Sequence, residues 1–164
     1  MTQSTPAARQ ARPIPEGYST VTPALTVRGA AQAIEFYTHA FGARELGRMP
    51  APDGQRIWHA ELQIGGARLM LADEFPDMGG HAPEALGGTP VSLHLYVEDA
   101  DAVVRRAAEA GATILQPLMD VFWGDRYGKL KDPFGHEWSI ATHLEDVSEE
   151  EMRRRAEAFE ASST

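Results

Sequence analysis

Residues 92–112 read SLHLYVEDADAVVRRAAEAGA, and the way this stretch divides decides the fold. In SLHLYV (92–97) apolar residues alternate with Ser92, His94 and Tyr96, the period of a half-buried strand. DAVVRRAAEAGA (101–112) changes to helical spacing and is closed by Gly111. The same text occurs earlier in the chain. TPALTV (22–27) superimposes on SLHLYV, and AIEFYTHAFGA (33–43) on AVVRRAAEAGA (102–112), with Gly42-Ala43 and Gly111-Ala112 at the same helix end. In the first copy Ala33, Phe36, Tyr37 and Ala40 form one helical stripe.

Each copy continues with three strands. In the first, Glu45–Met49 and Ile57–Ile64 flank the turn APDG (51–54), and Gly65-Gly66 turns the chain into Arg68–Ala72. In the second, TILQPLMDV (113–121), RYGKLKD (126–132) and EWSIATH (137–143) supply them. The order is βαβββ twice, which predicts an α+β fold of two tandem modules forming a curved mixed sheet around a cavity. The modules span residues 18–74 and 90–144, joined by the Gly- and Pro-rich stretch 73–90, a linker or a loop over the cavity. Residues 1–17 mix Pro, Ala, Gln and Arg without period and read as a disordered tail. In residues 145–164, Ser148 precedes Glu151 at capping-box spacing, so a surface helix and a short tail are expected there.

Composition removes several function classes. With no cysteine among 164 residues, disulfides, thiolate metal sites and cysteine nucleophiles are excluded, and any metal needs His and carboxylate ligands. A formal charge of −9 argues against a nucleic-acid partner; Arg153, Arg154 and Arg155 follow three glutamates and read as a solvated helical face. No stretch approaches the roughly 18 apolar residues of a membrane span, and the polar N-terminus does not read as a signal peptide. A cytoplasmic location and no membrane partner are the expectations. There is no Gly-rich phosphate loop and no Gly-x-Ser-x-Gly elbow.

The phrases AIEFYTHAFGA, HLYVEDADAVVRRAAEAGA and KDPFGHEWSIATH resemble the helix and last-strand segments of the glyoxalase, bleomycin-resistance and dioxygenase superfamily, called vicinal oxygen chelate. The resemblance spans Tyr18 to His143. HAELQIGGARLMLADE, FWGDRYG and DPFGHEWSIATHLEDVSEEEMRRR look most like its PhnB-like branch. The resemblance implies a homodimer, and it implies metal ligands, in the members that use a metal, at positions corresponding to Thr22, Ser92, Ser139 and Met70. Hydroxyls and a thioether are poor ligands for a hard or borderline divalent ion, so no metal is expected there.

Alternation offers a second set of polar groups. His94 shares a face with Ser92, His143 with Ser139, and His59 and Glu61 with Met70. One reading makes these the polar wall of a wet pocket, with Glu61 and His59 as acid–base candidates. The other makes His59, Glu61, His94 and His143 a displaced site for a divalent metal such as Zn, Ni or Fe. In FWGDRYG, Trp123, Arg126 and Tyr127 are suited to stacking on a planar ligand and fixing its polar edge, and equally to a structural corner plugged by Trp123. Trp58 and Trp138 alternate out of phase with the pocket residues and are expected in the core. His136 reads as a turn residue.

Two functions follow. One is a binding protein that holds a small, planar molecule in a metal-poor cavity, of resistance or sequestration type, with Ser92, His94, Ser139, Met70 and His143 among the lining residues. The other is a metal-dependent or acid–base lyase or isomerase of glyoxalase type.

Overall fold

A computed structural model describes residues 11–163, and residues 1–10 of the expected tail lie outside the described residues. Residues 11–23 carry no helix or strand. The first module runs β1 (Ala24–Val27), α1 (Ala30–Phe41), β2 (Arg44–Pro50), β3 (Ile57–Ile64) and β4 (Ala67–Asp73). A 3₁₀ turn at Pro76–Met78 and the short helix α2 (Pro83–Leu86) break up the connection. The second module is β5 (Ser92–Tyr96), α3 (Ala100–Glu109), β6 (Thr113–Asp120), β7 (Asp125–Lys131) and β8 (Glu137–His143), and α4 (Glu149–Ser162) ends the chain.

The strands form two four-stranded sheets of the same topology, β1-β4-β3-β2 and β5-β8-β7-β6, each with one parallel pair and two antiparallel pairs. The internal repeat is therefore real at the level of register, because Ala24 pairs with Met70 in the first sheet where His94 pairs with Ser139 in the second. The α+β class and the two modules are as the sequence implies. Each module contributes one four-stranded sheet, and the two sheets do not close on one another. The edge strands β1 and β5 bond only to β4 and β8. Between them lies a cleft of about 270 Å³, lined by Thr26, Leu93 and the linker residues Pro83, Leu86 and Pro90. His136 bridges the gap through Nε2 to the Thr26 carbonyl at 2.8 Å.

The core is continuous across the modules. The predicted stripe of α1, Ala33, Phe36, Tyr37 and Ala40, is buried, and Gly42 ends the helix in the left-handed conformation that glycine adopts without penalty. Tyr37 and Phe41 pack on Trp138 of β8, with ring centroids 5.4 and 4.6 Å apart, so α1 contacts the second sheet as well as its own. Trp138 is the core residue the alternation predicts, at 3% exposed. Trp58 is not, and this expectation is corrected. The register shifts between Met49 and Pro50, so His59 and Ile57 have partners in β2 while Trp58 has none, and it emerges 43% exposed beside Phe75 and Met78.

Candidate functional site

The side of each sheet turned away from the helices carries the polar and aromatic residues singled out above. On the second sheet His94 is the centre. Its Nδ1 lies 2.6 Å from the Ser139 hydroxyl. Its ring stands edge-on to Tyr96 at 4.5 Å and nearly parallel to Tyr127 at 6.0 Å, and Trp123 meets Tyr127 edge-on at 5.4 Å. Alternation along β5, β7 and β8 produces this grouping, because His94, Tyr96, Tyr127 and Ser139 all occupy the phase opposite Leu95, Leu130, Trp138 and Ile140.

Beneath the rings lies Asp125, 2% exposed. One carboxylate oxygen accepts from Trp123 Nε1 at 3.1 Å and from the Tyr96 hydroxyl at 3.3 Å, while the other meets His143 Nδ1 at 2.7 Å. His143 also reaches Asp146 through Nε2 at 2.8 Å. Only the imidazolium can donate from both nitrogens at once, and the two carboxylates, Asp146 first, raise the His143 pKa above its ordinary value. The negative charge of Asp125 likewise raises the Tyr96 phenol, with desolvation adding to it.

Arg126 lies elsewhere. It pairs with Thr142 across the β7–β8 ladder and points to the helix side, where it forms a two-pronged bond to Asp101 of α3 at 2.6 and 2.9 Å and a third bond to Asp120. It staples α3 to its own sheet and does not share a face with His94. Ser92 is exposed at the start of β5, in register with Glu137.

On the first sheet Glu61 pairs with Met70 in register, as the Gly65-Gly66 turn implies, and lies 3.3 Å from His59. The chain before β1 folds over this face. Arg68 sits on the Tyr18 ring, 4.8 Å from its centroid, and the Tyr18 hydroxyl is shut off from solvent without closing a hydrogen bond. The nearby Tyr18 hydroxyl, acting as a dipole short of an aligned hydrogen bond, and then His59 hold the Glu61 carboxyl below the usual glutamate range, which favours the ionised form. Thr22 bonds the Ser19 carbonyl instead of facing this group.

The structure thus gathers His94, Ser139, Trp123, Tyr127 and His143 on one sheet, and His59, Glu61 and Met70 on the other. The four residues of the displaced metal set are split between the two, and among the described residues no three His, Asp or Glu side chains come together as a metal site. At the positions that correspond to the superfamily's ligands the donors are poor, and the Thr22 and Ser139 hydroxyls are already engaged with protein partners. This donor set does not fit a divalent ion. Tyr96 was readable by counting two on from His94, and Arg68 by counting two back from Met70. Tyr18 lies outside any regular element, and no periodicity could place it.

Comparison with known proteins agrees with the fold. The sequence pattern of the Glyoxalase/Bleomycin resistance protein/Dioxygenase superfamily matches residues 20–140. The uncharacterized protein Rv0887c of Mycobacterium tuberculosis is 51% identical over 136 residues, covering 81% of this chain and 79% of its own. The structure of the Arabidopsis thaliana gene product At5g48480 aligns with a TM-score of 0.61 at 29% identity, covering 76% of this chain and 98% of that one. A PhnB protein from Bacillus cereus shares the fold with a TM-score of 0.59 at 22% identity, covering 76% of this chain and 99% of that one. With a superfamily match over most of its length and two βαβββ modules in its fold, this chain belongs to the Glyoxalase/Bleomycin resistance protein/Dioxygenase superfamily and has PhnB-like neighbours in structure.

Proposed function

We propose that this protein binds a small planar molecule on the open face of its second sheet, without a metal, and works as a homodimer of sequestration or resistance type. The observation that carries the reading is the ring cluster around His94, held from below by Asp125. Tyr96, Trp123 and Tyr127 offer apolar ring area at small cost in side-chain entropy, since each has two side-chain torsions already fixed by packing or hydrogen bonds. His94, oriented through Nδ1 by the buried Ser139 hydroxyl, supplies a polar edge that can meet a ligand's heteroatom. With a net charge of −9, the protein favours a neutral or cationic ligand over an anionic one.

The test is a titration with proflavine, a planar tricyclic cation, followed by its fluorescence. Saturable binding is expected, and Trp123→Ala should weaken it about tenfold, the loss of roughly 1.4 kcal/mol of stacking. Elemental analysis after incubation with nickel, zinc, manganese and iron should find no stoichiometric ion. About one ion per chain, with a raised melting temperature, would overturn the metal-free part. Absence of saturable proflavine binding would overturn the reading of the face.

A second reading rests on the His59–Glu61 pair. A carboxylate kept ionised beside an imidazole and a phenol is an acid–base set, so an isomerase or lyase of glyoxalase type is the alternative. Turnover of a glyoxalase-type substrate that Glu61→Gln abolishes would favour it.

A further inference from the structure

The superfamily match ends at residue 140, and the chain continues for an exposed strap and the helix α4. No residue of α4 is buried, so the helix adds nothing to the core. Two of its side chains, Arg155 and Phe159, reach the same place on the second module. Phe159 lies against Phe122 with ring centroids 5.6 Å apart, and Arg155 donates from Nη1 to the Phe122 carbonyl at 3.3 Å. Arg155 also pairs with Glu145 of the strap, and through Nε with Glu151 of its own helix. Phe122 in turn stands perpendicular to Trp123 at 5.1 Å.

The strap grips the same loop. The backbone N–H groups of Leu144 and Glu145 both donate to the Gly124 carbonyl, at 2.8 and 3.1 Å. The fit is tight enough to demand glycine: φ at Gly124 is +99°, and a Cβ there would lie 2.4 Å from the Glu145 carbonyl oxygen. The loop that carries Trp123 is therefore held from two directions. Asp125 takes its indole N–H from below, and residues 144–162 hold Phe122 and Gly124 from the side.

We propose that residues 144–162 are a brace that fixes the Phe122–Trp123 loop in its ligand-binding position, with Arg155 and Phe159 as positioning residues. The site role of the brace rests on the reading of the second sheet's face as the binding surface. A loop held in advance loses less conformational freedom when a ring stacks on Trp123, so loosening the brace weakens binding without removing any group that touches the ligand.

The experiment is indole N–H NMR of the full chain labelled with ¹⁵N, alongside proflavine titration. The three tryptophans give three indole signals, and those of Trp58 and Trp138 report on the rest of the fold. Arg155→Ala and Phe159→Ala should each shift or broaden the Trp123 signal alone and raise the proflavine Kd about three- to tenfold. Arg154→Ala removes only a two-pronged bond to Glu151 within α4 and should change neither. An unmoved Trp123 signal in both variants, or a moved signal with unchanged Kd, overturns the brace. Native protein that takes up no proflavine while Trp123 still responds to Arg155→Ala overturns the binding reading and upholds the brace as a device that orders the loop.

Discussion

Asp132 opens the Asp-Pro-Phe-Gly turn and is 3% exposed, yet none of its lone pairs is wasted. One oxygen accepts from the backbone N–H of Phe134 and His136, and the other from Tyr37 at 2.6 Å and Trp138 at 2.9 Å. A turn residue thereby ties α1 of one module to β8 of the other. Burial is the first cause that keeps the Tyr37 phenol protonated, with the Asp132 charge next. Removing the carboxylate strands four donors, so Asp132→Ala should cost about 3–5 kcal/mol in urea unfolding, whereas Tyr37→Phe, which leaves Trp138 on the same oxygen, should cost about 1 kcal/mol. Equal losses in the two variants would contradict this account. His143 gives a prediction in pH. Its folded-state pKa lies above the ordinary 6.5, so its contribution to stability is complete below about 6.5 and fades as pH rises through the folded value. The gap in melting temperature between native protein and His143→Gln should therefore be wider at pH about 6 than at pH about 8.5. At this scale the sequence was informative wherever alternation decides a face: His143 shares a face of β8 with Ser139, and Glu61 pairs with Met70 across the Gly65-Gly66 turn, as the sequence implies. It misled at Arg126, because the motif FWGDRYG groups by sequence residues that a strand sends to opposite faces.

Helix α1 shows how elements depend on partners distant in sequence. Its N-terminus has no side-chain cap of its own, and Gly29 at the cap position has φ of +89°. The cap comes from β4: one oxygen of buried Asp73 accepts from the N–H of both Gly29 and Ala30 at 2.9 Å, and the other accepts from Ile57 at 2.7 Å. Helix start, strand start and strand end are fastened by one residue. Asp73→Ala should lower unfolding free energy by about 2–4 kcal/mol, measured from the urea midpoint at constant m-value, while loss of the local cap of α3 in Asp99→Ala should cost only about 1 kcal/mol. A ranking in the opposite sense would refute the claim that Asp73 serves three places. Local caps are what a sequence displays: Ser148 bonding Glu151 N–H, and Gly42 and Gly111 at the helix ends, were all legible. A cap delivered across the sheet was not, since nothing in the residues around 73 encodes which helix end will lie beside it. The bulge that exposes Trp58 was hidden for a related reason, being a property of two strands together.

At the scale of the molecule, the two sheets leave strand edges and apolar side chains uncovered. Tyr96 is 63% exposed and Met119 50% on the second sheet, and Met49 is 57% exposed on the first, while β2 and β6 each end a sheet with an unpaired edge. Long edges and apolar side chains in this arrangement are usually covered in a protein that stays dispersed. A second copy of the chain is the economical cover, since a two-fold arrangement covers both equivalent faces with one kind of contact. It would also enclose the His94 face, which within one chain is an open surface, and so exclude water from a stacked ligand. The expectation is a light-scattering mass of twice the 17.9 kDa chain at micromolar concentration, with a contact of roughly 1,200–2,000 Å². Placing a charge at the exposed Met119, as in Met119→Glu, should drive the mass towards one chain. If the ligand site is completed by the partner, proflavine affinity should fall in the same concentration range in which the dimer dissociates. A monomeric native protein that binds proflavine as tightly at nanomolar as at micromolar concentration would show instead that the aromatic face is sufficient alone.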